Sequence, residues 1–160
     1  MPKSRLSATV AGLAAVMLAL TVATSTASAR ELRAGGAPSN VDSGRSGYFV
    51  WNDGHDLQLR MASRDDSTSY RGTLHTDGKF RNLSRDGDRQ DERVWISDDG
   101  HTLRFRGTPT NDVDGFKIRV EDADKVDLDL KWDGGSAPTD RIWIGRNDKH
   151  PDGSSFTLRV

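Results

Sequence analysis

The chain of 160 residues has no cysteine. That excludes disulfide staples, thiol catalysis and thiolate metal centres, so the fold must rest on an apolar core. Glutamate is scarce too: Glu31, Glu92 and Glu121 are the only three, and aspartate carries the remaining acidic charge. Asp favours turns and Glu favours helices, and alanine is rare beyond residue 29, so the composition points away from helix. Catalytic signatures are missing as well. There is no Gly-x-Ser-x-Gly elbow, no His-Glu-x-x-His zinc pair, no P-loop and no dinucleotide-binding glycine pattern. Two carboxylates suffice for glycoside hydrolysis, but any Asp-rich chain meets that condition. With no acid–base pair singled out, the chain reads as non-catalytic, and a hydrolase of unknown type ranks behind two binding functions.

Long hydrophobic runs are limited to residues 10–23. This run is shorter than the ~20 apolar residues a membrane span needs. It follows Lys3 and Arg5 and precedes Ala27-Ser28-Ala29, the order of a cleavable export signal. Residues 1–29 therefore read as a signal peptide cut between Ala29 and Arg30, which implies a secreted, extracellular product free of the membrane. Residues 30–46 hold Gly35, Gly36, Pro38 and Gly44 with little apolar content, and read as a flexible lead. One domain follows over 47–160.

Charge is nearly balanced, with 23 basic and 24 acidic residues. Removing Lys3 and Arg5 with the signal leaves 21 against 24, a net of −3. Such balance argues against nucleic acid as a partner, which calls for a basic patch.

From Gly47 onward, short segments of alternating polarity are separated by Gly, Asp and Asn. Strands are expected at 48–51, 56–61, 70–75, 79–83, 93–96, 102–106, 115–120, 125–132, 141–144 and 155–160. Phe116, Ile118 and Val120 share one face, as do Val126, Leu128, Leu130 and Trp132. Period-two alternation places one face on a core and one in water, the mark of antiparallel sheets. Two such sheets face to face make an all-β antiparallel sandwich of about eight to ten strands, with a flattened β-barrel as the alternative closure. The expected core is Leu57, Leu59, Leu103, Phe105, Phe116, Ile118, Val120, Val126, Leu128, Leu130, Phe156 and Leu158. Asp-Gly pairs at Asp53, Asp77, Asp86, Asp99, Asp114, Asp133 and Asp152 suit the positive φ of tight turns, so most are expected to be strand reversals.

The phrases Gly47-Tyr48-Phe49-Val50-Trp51, residues 72–80, Asp114-Gly115-Phe116, Ile142-Trp143-Ile144-Gly145 and Ser155-Phe156-Thr157-Leu158 resemble a group of small uncharacterised bacterial secreted proteins. The resemblance covers nearly all of 47–160 and implies one complete all-β domain. It implies no activity, cofactor or site.

Metal chemistry finds little footing. His55, His75, His101 and His150 are scattered over turns and strand ends, whereas a zinc site needs three or four converging ligands. No cofactor is expected. Calcium has the best case among metals, through Asn111, Asp112, Asp114, Glu121, Asp122, Asp124 and Asp127, but neither acidic run has the EF-hand spacing and both read as solvated turns. The outward residues Arg60, Arg104, Arg106, Lys117, Arg119, Asp127 and Asp129 are expected to form cross-strand pairs of opposite sign.

Two tryptophans break the pattern. Trp95 lies between Val94 and Ile96, and Trp143 between Ile142 and Ile144. If the aliphatic neighbours face the core, both indoles point outward, where they can stack on sugar rings; the alternative is that either strand is buried on both faces, or that a loop such as 63–69 covers the ring. Arg93, Asp98, Asp140, Arg141 and Asn147 stand close enough in sequence to bond sugar hydroxyls. The leading expectation is thus a binding module for a polysaccharide or cell-wall glycan, and the alternative is an extracellular protein-interaction domain such as an inhibitor or surface-assembly component.

Overall fold

The structure is a computed structural model and describes residues 31–33, 35–41, 44–86, 92–134 and 141–160. Ala29, Arg30 and Asp140 lie outside the described residues, as does the whole of 1–29. The strands are β1 (Glu31–Arg33), β2 (Gly47–Asp53), β3 (Asp56–Ser67), β4 (Ser69–Thr76), β5 (Lys79–Asp86) and β6 (Glu92–Ile96). They continue with β7 (Thr102–Gly107), β8 (Thr110–Glu121), β9 (Lys125–Asp133), β10 (Ile142–Ile144) and β11 (Ser155–Arg159). No α-helix occurs among the described residues. A 3-10 turn at Gly145–Asn147 follows β10.

The strands form two sheets, a six-stranded one ordered β1-β11-β9-β4-β7-β6 and a five-stranded one ordered β10-β2-β3-β8-β5. Their inner faces share one core, so the protein is a β-sandwich rather than a closed barrel. Alternation decides which side chains enter it. Leu57, Leu59, Leu103, Phe105, Phe116, Ile118, Val126, Leu128, Leu130, Phe156 and Leu158 are buried as expected, while Val120 is only partly covered. Tyr48 anchors the centre, edge-on to Tyr70 at 4.9 Å and to Phe105 at 6.0 Å.

The expected antiparallel pairing holds with two exceptions, and two other expectations need correction. Pairing is not wholly antiparallel, because β1 runs parallel to β11 and β10 parallel to β2. A parallel pair cannot be joined by a tight hairpin, and in both cases the partners are far apart in the sequence.

The Asp-Gly pairs are also more varied than reversals alone. Asp53-Gly54 turns β2 into β3 and Asp99-Gly100 turns β6 into β7, but Asp77-Gly78 and Asp133-Gly134 lie where the chain leaves one sheet for the other. Asp114-Gly115 is inside β8, with Asp114 buried. The glycine there serves a close approach, since a Cβ on Gly115 would lie 2.1 Å from the Leu59 carbonyl of β3.

The lead, finally, is tied down over its described residues. Beyond the β1–β11 ladder, the Gly36 amide donates to the Asn52 carbonyl at 3.1 Å, and the Arg146 amide donates to that of Gly35 at 3.2 Å. Asn40, 6% exposed, packs over the outside of the five-stranded sheet. Polar and glycine-rich composition does not prevent order where neighbouring strands supply hydrogen-bond partners.

Candidate ligand-binding site

Trp143 points away from the main core, as strand parity requires, yet it is 3% exposed. It lies opposite Phe49 in the β10–β2 register and stacks on it with ring centres 4.7 Å apart. Together with Ala62 they form a second apolar cluster, packed by Val41, Trp51 and Val113. The lead covers it. With its amide oriented to satisfy its neighbours, Asn40 accepts from Trp143 Nε1 at 3.0 Å and from Arg45 Nη1 at 3.2 Å, and donates to Asp148 at 3.0 Å. A Cβ on Gly47 would meet the indole at 2.3 Å, so only glycine lets the chain pass there. The expected exposure of Trp143 is therefore wrong: a single strand shows which way a side chain points, not what lies over it.

Trp95 behaves differently. At 46% exposure it is the one large hydrophobic side chain exposed among the described residues. It projects from β6, at the edge of the six-stranded sheet, while Val94 beside it enters the core. Arg93 shares its face and is exposed. Asp98 is exposed in the β6–β7 turn, where Asp99 holds the loop by accepting from Ser97 Oγ at 2.5 Å and the His101 amide at 3.0 Å. The other expected site residues lie elsewhere. Arg141 is partly buried and directs Nη1 to Thr68 Oγ1 at 3.3 Å, and Asn147 is exposed on the 3-10 turn. Because β6 and β10 belong to different sheets and both indoles face outward, the two tryptophans cannot share a ligand.

Register shows what surrounds Trp95. Across β6, β7, β4 and β9, Arg93 stands opposite Arg106, Arg106 opposite Arg71, and Arg71 opposite Lys131. The next row on the same face runs Trp95, Arg104, Thr73, Asp129 and, on β11, Ser155. A groove of about 260 Å³ lies between the rows, bounded by Trp95, Arg104, Arg106, Thr73, Asp129 and Lys131. A second hollow of about 460 Å³ adjoins it across Arg71 and Arg106.

The expected pairing of opposite signs is incomplete on this face. Arg71 pairs with Asp133, and Lys131 with Asp129 at 2.9 Å, but Arg93, Arg104 and Arg106 make no ion pair among the described residues. Farther along the sheet the acids are engaged: Asp127 accepts from Thr157 Oγ1 at 2.5 Å and Asp129 from Ser155 Oγ at 3.0 Å. The other outer face keeps the expected balance. Lys117 and Arg119 both reach Asp56, at 2.9 and 3.3 Å, and Arg60 reaches Asp86 at 2.9 Å. The Lys117 ammonium, and after it Arg119, holds the Asp56 carboxyl below the usual aspartate range.

The residues proposed for calcium do not form a cage. Asn111, Asp112 and Asp114 are spaced along β8, and Glu121 lies 3.9 Å from Arg81. Among the described residues, no three His, Asp or Glu side chains converge as metal ligands would. Nor is any described helix long and apolar enough to cross a membrane. Arg71, Arg104, Arg106, Thr73 and Lys131 complete the site around Trp95. Parity could mark each as outward, but only the order and register of strands put them together.

No family profile matches the chain, and no curated protein matches it. A similar solved structure is that of an uncharacterised protein from Nocardia farcinica described as having an immunoglobulin-like fold. It is 14% identical, with 81% of this chain and 97% of that one covered and a TM-score of 0.37.

Proposed function

We propose that the protein is an exported, non-catalytic module that binds a polysaccharide through the outer face of its six-stranded sheet. The observation that carries the reading is the exposed indole of Trp95 at the rim of a groove lined by hydrogen-bonding side chains. A flat aromatic surface suits the apolar face of a sugar ring, and Arg104, Thr73 and Asp129 offer donors and acceptors for hydroxyls alongside it. The platform rests on strands rather than loops, so its geometry is fixed before a ligand arrives, which lowers the ordering cost of binding.

The test is a glycan array probed with the purified protein, followed by titration of any hit. Trp95→Ala should abolish binding while leaving the thermal midpoint nearly unchanged, because the ring supports no core packing. Binding that survives this substitution would place the ligand elsewhere and remove the proposal.

A further inference from the structure

The cation row deserves an explanation beyond solubility. Like charges directly opposite one another on neighbouring strands destabilise a sheet, yet Arg93, Arg106, Arg71 and Lys131 stand in register across four strands. The opposite outer face also sets Arg81 across from Arg119, but there each cation has an acid, Glu121 for Arg81 and Asp56 for both Arg119 and Lys117. Two of the row's four members also have acidic partners, through Asp133 and Asp129, which leaves the β6–β7 end bearing the uncompensated charge. Arg104 adds to it from the neighbouring row. That end is where Trp95 projects.

We infer that this furrow binds a linear polyuronate, a polysaccharide carrying one carboxylate on each sugar, laid across β6, β7, β4 and β9. The inference rests on the polysaccharide reading above and adds the charge and direction of the ligand. Neighbouring strands are ~4.8 Å apart, so the row offers a cation at intervals close to the advance of one sugar in an extended chain. Guanidinium groups match carboxylates through paired N–H donors in a plane, which suits Arg93, Arg106 and Arg71 to successive uronates. The chain fits between the two rows, with its carboxylates toward the cations. Its hydroxyls face Arg104, Thr73 and Asp129, and one ring lies on Trp95.

A nucleic acid suits the face less well. Single strands bind along successive aromatic platforms, and this face exposes one.

Calorimetric titration of the full protein with an oligogalacturonate of defined length tests the inference, alongside a neutral oligosaccharide of equal length, inorganic polyphosphate and single-stranded DNA. The oligogalacturonate should bind, with affinity falling as salt rises, and the neutral chain should bind at least about tenfold more weakly. Replacing both Arg93→Gln and Arg106→Gln should weaken binding by about tenfold or more. Lys117→Gln on the opposite face should leave it unchanged. The thermal midpoint of the double variant should hold or rise, because two facing like charges are removed, so lost binding cannot be ascribed to unfolding. Equal affinity for the neutral chain, undiminished binding by the double variant, or tighter binding of polyphosphate or DNA would overturn the inference. A neutral glycan held through Trp95 would sink the polyuronate and leave the broader reading standing. Failure of every glycan would sink both.

Discussion

The hydroxyl of Tyr48 lies 2.9 Å from the Arg71 carbonyl, reaching from the five-stranded sheet to the strand that carries the centre of the cation row. The same oxygen is 2.5 Å from the Lys131 carbonyl on β9, so one phenol proton is shared between two adjacent strands. The side chain is fully buried, and burial pushes its ionisation far above the usual tyrosine range. Removing that proton donor leaves two carbonyls without their partner in the interior. Tyr48→Phe should therefore cost about 1–3 kcal/mol of stability, read as a lower denaturant midpoint with an unchanged slope. No change in the midpoint would show that the carbonyls find other partners.

Trp95 and Trp143 should separate cleanly by stability. Trp143→Ala empties the cluster against Phe49 and removes one of the Asn40 side chain's partners, so a loss of about 3–5 kcal/mol is expected. Trp95→Ala removes an exposed ring and should stay within about 0.5 kcal/mol. Thermal or urea unfolding of both variants under one condition decides it. Equal losses would mean that the Trp95 ring is held by packing.

Glu92 sets the pH response. The residue is 1% exposed, and its Oε1 has no hydrogen-bond partner among the described residues. Burial, then the charge of Asp114, pushes its pKa up to about 7, against the pull of Arg85 and Arg60; Asp86 adds a weaker upward push. The folded state thus binds a proton that the unfolded state has released, and stability falls as pH rises from about 4.5 to about 7. The contribution is of order 3 kcal/mol at the alkaline end, at about 1.4 kcal/mol per unit. Asp56 acts in the opposite sense. Its lowered pKa adds stability above the unfolded aspartate range, and that is lost as pH falls through the folded value. Urea midpoints should accordingly peak in mildly acidic solution, and Glu92→Gln should remove the decline toward neutral pH. A profile of the parent protein that is flat from pH 5 to 8 would contradict this reading of Glu92.

Processing at the N-terminal side has its own readout. Protein recovered from culture medium should begin at Arg30, as N-terminal sequencing would show. Recovery of the intact chain from the membrane fraction would reject cleavage after Ala29.

Much of the sandwich is legible residue by residue, because alternation is local. Val126, Leu128 and Leu130 announce the buried face of β9, and Phe116 and Ile118 that of β8, without reference to any other strand. Neighbourhood is another matter. Nothing near Arg93 in the sequence says that Arg106, Arg71 and Lys131 complete its row, because that depends on strand order across two sheets. The burial of Trp143 is hidden for the same reason, its cover coming from Asn40 and Arg45, a hundred residues away. Asp114-Gly115 misleads by a different route: the dipeptide that allows a tight turn also allows two strands to approach closely, and the local pattern is the same.

The pairing of β1 with β11 joins Glu31 to Thr157, residues separated by most of the chain. Closing a loop of that length is entropically slow compared with zipping a hairpin. The seam therefore closes late, after β11 has docked on β9. Until it does, one edge of the six-stranded sheet offers its backbone donors and acceptors to any passing strand. The three residues of β1 thus act as the molecule's own stopper against assembly with its neighbours. A shortened chain starting at Gly47 would keep every strand of the central sandwich and yet lose its protection from aggregation.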